Sequence, residues 1–271
     1  MVKAKSWNSI KIFVALSYLC MVLINTLANT IPINGQRTGE VSDAYQNLFA
    51  PAGITFAIWG VIYVLLALYV LYQFGFQRHN QKIRLDLVFK TIGPAFVVSS
   101  LANSAWIFAW HYDRIGLSML LMIVILLCLI SINNKLKKIE LRTREKLFVT
   151  VPFSIYFGWI TIATIANATT LLVSLGFDGL GIDEYYWTML ILIVGLIIGS
   201  VTTYLNKDIA YGVVILWAYV GIWIKHASVD GFDGMYPLII YTIVFSITVM
   251  TLIIGFVIYH LYLANYNKIK E

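Results

Sequence analysis

Residues 115–132 read IGLSMLLMIVILLCLISI, an apolar run without a single charged side chain. An α-helix rises about 1.5 Å per residue, so roughly 20 mostly apolar residues cross a hydrocarbon core of about 30 Å. This run is therefore typical of a transmembrane helix. A membrane β-barrel is not expected, because its strands would be about 10 residues long and would alternate apolar with polar side chains.

The composition of the whole chain agrees with this interpretation. Of its 271 residues, 60% are hydrophobic and 12% are charged, and the mean hydropathy is +0.83. A soluble domain carries about 25% charged residues, so a cytosolic enzyme, a nucleic-acid-binding module and a disordered chain are excluded. Cys20 and Cys128 lie inside apolar runs, a position that favours neither a disulfide nor a metal site.

Seven further runs match residues 115–132 in length and apolar character. The sequence therefore predicts an all-α integral membrane protein with eight transmembrane helices. The eight runs cover Ile10–Asn29, Ile54–Phe76, Thr91–Trp110, Ile115–Ile132, Leu147–Leu172, Trp187–Leu205, Ile209–Ile224 and Tyr236–Leu263.

The basic residues between the runs predict the orientation, because cytoplasmic loops carry an excess of Lys and Arg. Of the 19 basic residues, only Arg37, Arg114 and Lys225 fall in outer segments if the N-terminus is inside. We therefore expect both termini in the cytoplasm. We also expect a multi-pass protein of the plasma membrane of a bacterium. The inner set is Lys3, Lys5, Lys11, Arg78, Lys82, Arg84, Lys90, Lys135, Lys137, Lys138, Arg142, Arg144, Lys146, Lys207, Lys268 and Lys270.

The first run has two interpretations. Lys3 and Lys5 before an apolar stretch also fit a secretory signal that would be removed. However, Asn25 and Asn29 lie one turn apart with Tyr18 on the same face, which suits a helix packed in a bundle. We favour the retained helix.

One shift in composition suggests how the helices are grouped. Between Leu175 and Tyr186, three glycines mix with acidic residues in a predicted outer loop. We interpret this loop as the seam between a five-helix part, residues 1–175, and a three-helix part, residues 176–271.

Three runs carry aromatic, amide and small side chains at helical spacing. The sets are Phe56, Trp59 and Tyr63 in the second run, Ser99, Asn103, Trp106 and Trp110 in the third, and Tyr156, Trp159, Ala163 and Asn167 in the fifth. Each set lies on one helix face. Taken singly, each is explained by packing, because Trp and Tyr favour membrane interfaces and Asn bridges helices. Together they predict a pocket that binds a large, flat, apolar molecule between aromatic side chains, with Asn103 and Asn167 orienting it.

The first loop, Thr30 to Ala52, is long for a helix connection. A lid over the predicted pocket and an ordered cap without function are equally compatible with it.

The middle of each run contains no Asp, Glu, Lys or Arg. Ionisable residues at that depth usually mark proton relays and ion pathways. The four histidines lie at run ends or in loops, and none stands at ligand spacing from another His, Cys or carboxylate. We therefore expect no ion-coupled pump, no metal site and no catalytic residue. The alternative for His111 and His226, which are predicted on the same outer side, is an axial ligand.

Several of these residues resemble the motifs of the TspO/MBR family, the tryptophan-rich sensory proteins related to the mitochondrial translocator protein. The resemblance covers roughly the first 175 residues and lies in three of the runs. The matching residues are Pro51, Trp59 and Tyr63, then Asn103 and Trp106, then Tyr156, Trp159, Ala163, Thr164 and Asn167.

The sequence also departs from the family pattern. Leu48 and Ala50 occupy the positions of the Trp and first Pro in the first-loop motif Trp-x-Pro-Pro, and Pro152 stands one turn before the usual place of the fifth-helix proline. The runs from about Trp187 onward have no counterpart in a five-helix family. Sealing of the bundle, a dimer surface and a second site are the alternatives for them.

The resemblance implies a five-helix bundle that binds porphyrins, sterol-like molecules or other flat hydrophobic ligands, commonly as a homodimer. By this resemblance the protein requires no cofactor, and a tetrapyrrole (porphyrin or haem) is a candidate ligand. The residues carried over as cavity candidates are Pro51, Trp59, Tyr63, Asn103, Trp106, Tyr156, Trp159, Ala163 and Asn167. Trp110 joins them through the helical spacing alone.

The leading hypothesis is a membrane receptor or sensor for such a ligand. A transporter or permease is the first alternative, although neither an internal repeat nor a buried charge supports it. A porphyrin-modifying enzyme and a purely structural membrane subunit are the remaining alternatives. The enzyme is disfavoured because no base, nucleophile or metal constellation is evident.

Overall fold

The computed structural model describes residues 3–75 and 82–270. Within these residues the chain forms ten α-helices and no β-strand, which confirms the all-α fold class. The helices are α1 Lys3–Thr30, α2 Thr38–Ala44, α3 Ile58–Tyr72, α4 Lys82–His111, α5 Ile115–Lys137, α6 Thr143–Glu145, α7 Val151–Ser174, α8 Glu184–Asn206, α9 Ile209–Ala227 and α10 Pro237–Lys270. A 3₁₀ turn, Gly53–Ala57, leads into α3.

Eight segments of the described residues are long and apolar enough to cross a membrane, as predicted. The chain is therefore a multi-pass integral membrane protein. The segments are Ser9–Thr30, Gly53–Tyr72, Leu85–His111, Ile115–Lys137, Thr143–Ser174, Glu184–Asn206, Ile209–Ala227 and Pro237–Ala264.

The third spanning helix begins earlier than predicted, at Lys82 instead of Thr91. Charged residues interrupt the apolar run there but do not interrupt the helix, since Lys and Arg are good helix formers. The orientation in the membrane stays a prediction. Phe76, Arg78 and His79 lie outside the described residues, as do the side chains of Lys3, Lys5, Lys82, Arg84, Lys268 and Lys270.

The chain divides into two compact units. The first contains Met1–Ala44 and Ile58–Ile160, and the second contains Tyr45–Ala57 and Thr161–Glu271. The division falls within α7, which supplies residues to both units. The boundary predicted from composition at residues 175 and 176 stays a prediction.

The core of the first unit forms around the Tyr69 ring. Its centroid lies 4.8 Å from that of Phe153, 5.5 Å from that of Phe96 and 5.9 Å from that of Phe89, in edge-to-face geometry. Such edge-to-face pairs are favourable beyond the area that they bury. They fix the helical faces of α3, α4 and α7 that point toward one another.

Pro152 explains the irregular start of α7. It lies at the start of α7 but inside a helical segment that continues from Thr143 to Ser174, and its missing N–H cannot donate to a carbonyl of the preceding turn. The preceding residues, Lys146–Thr150, form a wider π-helical turn. The regular helix therefore begins shortly before Tyr156 and Trp159, and this start sets the direction in which those two side chains point.

In the second unit, glycines allow α8 and α9 to approach closely. A Cβ atom at Gly195 would lie 2.8 Å from the Tyr219 hydroxyl oxygen, and one at Gly199 would lie 2.8 Å from Cγ2 of Ile215. Membrane helices commonly pack through small residues in this way. The Tyr219 hydroxyl crosses the same contact and donates a hydrogen bond of 2.5 Å to the Leu192 carbonyl.

Replacing Gly199 with leucine is expected to lower the free energy of unfolding by about 1 to 3 kcal/mol, because the new side chain overpacks against Ile215. Thermal unfolding in detergent measures the effect. Gly255→Leu is the matched control, since a Cβ at Gly255 in α10 meets no atom within 4 Å. An equal midpoint for the two variants would contradict the close packing of α8 and α9.

Candidate functional site

A chain of hydrogen bonds joins three helices inside the first unit. The Asn25 amide nitrogen of α1 donates to the side-chain oxygen of Asn103 in α4 at 2.8 Å. The Asn103 amide nitrogen donates in turn to the Tyr156 hydroxyl of α7 at 3.2 Å. All three side chains are buried. Both the oxygen and the nitrogen of the Asn103 amide are therefore hydrogen-bonded, and these bonds fix its orientation.

Three further aromatic rings extend this chain. The Trp59 ring stacks on Tyr63 with a centroid distance of 5.6 Å, and it meets Tyr156 at 6.0 Å and Trp159 at 6.2 Å in edge-to-face geometry. Tyr156 and Trp159 are buried, whereas Trp59 is half-buried. We call these residues the aromatic–amide cluster: Asn25, Trp59, Tyr63, Asn103, Tyr156 and Trp159.

Tyr63 lies at the edge of the cluster. Its backbone carbonyl accepts a hydrogen bond of 2.9 Å from the Tyr18 hydroxyl of α1. Its own hydroxyl is buried, and no described residue hydrogen-bonds to it. The face of α1 that carries Tyr18 and Asn25 therefore packs against other helices of this unit, as expected for a helix of the bundle. Asn29 instead lies exposed and donates to the Asn25 carbonyl at 2.9 Å.

Trp106 and Trp110 stack on each other at the end of α4, with ring centroids 5.4 Å apart. The Trp110 indole N–H donates to the Thr38 carbonyl in α2 at 3.1 Å. Beside it, the Asn34 amide donates to the His111 carbonyl at 2.8 Å. Trp110 therefore holds the first part of the first loop in place.

The second part of that loop belongs to the second unit. We call residues 45–57 the strap. The Leu48 N–H donates to the Glu184 carboxylate at 3.2 Å, and the Leu48 carbonyl accepts from Nε2 of His226 at 2.9 Å. Because a carbonyl can only accept, Nε2 of this histidine carries a hydrogen. The Leu48 side chain, at the family's Trp position, is buried.

Two further bonds fix the strap to α9. The Ala52 N–H donates to the Gly221 carbonyl at 3.0 Å, and the Trp217 indole N–H donates to the Thr55 carbonyl at 3.0 Å. Gly221 has no side chain at the point where Thr55 lies against α9, and a Cβ there would overlap Thr55. The strap is therefore held mainly through its backbone.

The ten predicted site residues fall into three groups. Trp59, Tyr63, Asn103, Tyr156 and Trp159 meet in the aromatic–amide cluster, and Trp106 and Trp110 form a separate stacked pair. Pro51, Ala163 and Asn167 belong to the second unit, where Pro51 and Asn167 are buried and Ala163 is half-buried. Asn25, the amide partner of Asn103, is the cluster member that the motifs did not include.

The second unit also contains a cavity of about 410 Å³. Its wall comes from the strap, the end of α7, the loop before α8 and the start of α8. None of the ten predicted site residues lines it. The lining residues are Gln46, Asn47, Phe49, Thr169, Leu172, Val173, Phe177, Asp178, Gly179, Ile182, Glu184, Trp187, Thr188 and Ile191.

Metal-binding side chains are not grouped in the part of the chain that the structure describes. Among those residues, no three His, Cys, Asp or Glu side chains are close enough to hold a metal ion. Cys20 and Cys128 are both free thiols.

A family model described as TSPO-like protein matches residues 11–257. The match reaches into α10, so the resemblance, expected over roughly the first 175 residues, extends over the last three spanning helices as well. No curated protein and no solved structure matches the chain.

Gly221→Ala is expected to detach the strap from α9, because the added methyl group overlaps Thr55. Overpacking of this kind costs about 1 to 3 kcal/mol. Limited digestion with chymotrypsin in detergent measures the detachment, since the strap contains Tyr45, Phe49 and Phe56. Gly116→Ala is the control, because a Cβ at Gly116 meets open space. Cleavage of Gly221→Ala within residues 45–57 at the wild-type rate would refute this account of the strap.

Proposed function

Because this chain belongs to the TSPO-like family, whose members have membrane-bound roles in ligand binding or transport, we propose that it is a membrane receptor for a flat hydrophobic small molecule. A tetrapyrrole or a sterol-like molecule is the ligand class that fits the proposal. The homodimer and the plasma membrane of a bacterium remain predictions. No observation on the described residues favours transport over binding.

One observation carries the proposal: the aromatic faces of α3 and α7 and the amide of α4 meet in the aromatic–amide cluster. Side chains with polar tips at membrane depth must point toward protein or a cavity, because lipid offers them no hydrogen-bond partner. Here four rings and two amides are concentrated within one compact unit. Aromatic walls with a few polar groups are typical of sites for small hydrophobic molecules.

Trp59 is the member of the cluster against which a ligand would stack. It is half-buried, whereas Tyr156 and Trp159 beneath it are 0% and 2% exposed. The Trp59 ring contacts both of these side chains. An incoming flat ring would stack on the accessible part of Trp59, and each such aromatic contact is worth about 0.5 to 1.5 kcal/mol beyond area burial.

The amide chain gives the site its polar edge. Asn103 offers a donor and an acceptor, now used by Tyr156 and Asn25. A ligand with a carbonyl, hydroxyl or pyrrole N–H at its rim can exchange one of these bonds for its own. If the ligand takes the place of Asn25, the Asn25 amide nitrogen keeps its other hydrogen bond, of 2.9 Å, to the Met21 carbonyl. Pro51, Trp106, Trp110, Ala163 and Asn167 remain candidate contacts, proposed from the resemblance and from helical spacing.

Titration of the purified protein with protoporphyrin tests the proposal. We expect saturable quenching of Trp fluorescence together with a shift of the porphyrin absorption band. Trp59→Leu should raise the dissociation constant about tenfold, which corresponds to about 1.4 kcal/mol, because a flat ring loses its largest aromatic neighbour.

Trp223→Leu is the control, since this indole is 41% exposed on α9 in the second unit. It should leave the dissociation constant unchanged. Absence of saturable binding to the wild-type protein, or equal weakening by the two substitutions, would contradict the proposal.

A further inference from the structure

The cavity of the second unit has the size of a ligand site. Its volume of about 410 Å³ falls within the range of about 300–1,000 Å³ that is usual for small-molecule sites. It shares no residue with the aromatic–amide cluster, and no motif of the sequence points to it. It lies where the last turn of α7 and the first turns of α8 meet the strap.

The body of the cavity is apolar and held in a fixed shape. The Trp187 indole N–H donates to the Gly179 carbonyl at 2.9 Å, and its ring meets Phe177 edge-on at 5.8 Å. On the strap side, Phe49 is 1% exposed. These contacts restrict the aromatic side chains, so little conformational entropy is lost when an apolar group packs against them.

The strap wall is fixed by a buried amide. The Asn47 side-chain oxygen accepts from the Phe49 N–H at 3.1 Å and lies 3.4 Å from the Thr169 hydroxyl, which also donates to the Ala166 carbonyl at 2.7 Å. Its amide nitrogen donates to the Tyr45 carbonyl at 3.0 Å. These bonds connect the strap to α7 on one side of the cavity, as the Leu48 to Glu184 bond connects it to α8 on the other.

The charged groups of the wall have one sign. Asp178 and Glu184 line the cavity, and no Lys, Arg or His stands among the described lining residues. Glu184 accepts from the Leu48 N–H through Oε1, and Asp178 accepts from the Leu180 N–H at 3.0 Å through Oδ1. A carboxylate has about four acceptor positions, so each retains capacity for a further donor.

From this wall we propose that the cavity is a second ligand site and that it takes an amphipathic organic cation. The apolar body of the ligand fills the space between Phe49, Phe177 and Trp187. Its ammonium or guanidinium group pairs with Glu184 and Asp178, since charge-assisted hydrogen bonds to carboxylates are among the strongest available. Organic anions, including porphyrin carboxylates, are repelled by the same wall. This inference goes beyond the proposed function and does not depend on it.

Two dansyl probes of opposite charge test the charge preference. Dansylcadaverine carries a terminal ammonium group, and dansyl-aminohexanoate carries a terminal carboxylate on a chain of similar length. Each is titrated against the full-length protein in an uncharged detergent, with protein-free micelles as the blank. We expect the cation to bind at least tenfold more tightly than the anion. Equal affinities, or a signal no larger than that of empty micelles, would overturn the proposal.

Glu184→Gln identifies the site. Glutamine keeps the oxygen that accepts from the Leu48 N–H and removes the charge, so the strap should stay in place. We expect the preference for the cation to fall at least fivefold. Asp230→Asn, which removes an exposed carboxylate that does not line the cavity, should leave it unchanged. Equal loss in both variants, or no loss in Glu184→Gln, would refute the pairing.

Val173→Trp tests the cavity itself. Val173 lines the cavity but is 41% exposed, so a larger side chain can enter the space without disturbing a buried core. It should weaken both dansyl probes at least tenfold and leave protoporphyrin binding unchanged. Undiminished binding of dansylcadaverine would show that the probe lies elsewhere, and the proposal would fail whatever the outcome at the aromatic–amide cluster.

Discussion

The hydrogen bonds of Asn25, Asn103 and Tyr156 impose the constraint on which the functional site depends. Within a bilayer, a polar side chain finds no water, so its partners must come from its own helix or from a neighbouring one. Asn103 has both ends of its amide bonded because α1 and α7 each present a polar group to the same face of α4. Helical periodicity then places Trp159 beside Tyr156, and the ring contacts of Trp59 bring α3 into the aromatic–amide cluster.

At the ends of the spanning helices, backbone groups of the first loop also find hydrogen-bond partners within the protein. In the first unit, Trp110 and Asn34 tie its beginning to the end of α4. In the second unit, both backbone groups of Leu48 are bonded, one to Glu184 and one to His226. Leu48 stands where the first-loop motif of the TspO/MBR family has a Trp. Its side chain is buried, and its backbone is held by side chains of α8 and α9.

Much of this architecture could be predicted, because the bilayer permits few solutions. The apolar runs predicted all eight spanning helices, and helical spacing predicted the faces that meet around Trp59. The role of Trp110 could not be predicted, since its hydrogen bond depends on the backbone path of a loop. The cavity could not be predicted for a similar reason. Its wall combines four short segments, none with a period, and its carboxylates resemble ordinary loop residues until the fold brings them together.

A double-mutant cycle on Asn25→Leu and Asn103→Leu tests the central constraint most directly. Leucine has nearly the shape of asparagine, so the coupling between the two substitutions reports their hydrogen bond. Unfolding of the four proteins in mixed micelles should give a coupling free energy between about 0.6 kcal/mol, the average for such bonds between membrane helices, and about 1.7 kcal/mol, the largest measured. Additive effects, within about 0.3 to 0.5 kcal/mol, would mean that the amide chain does not hold α1 and α4 together.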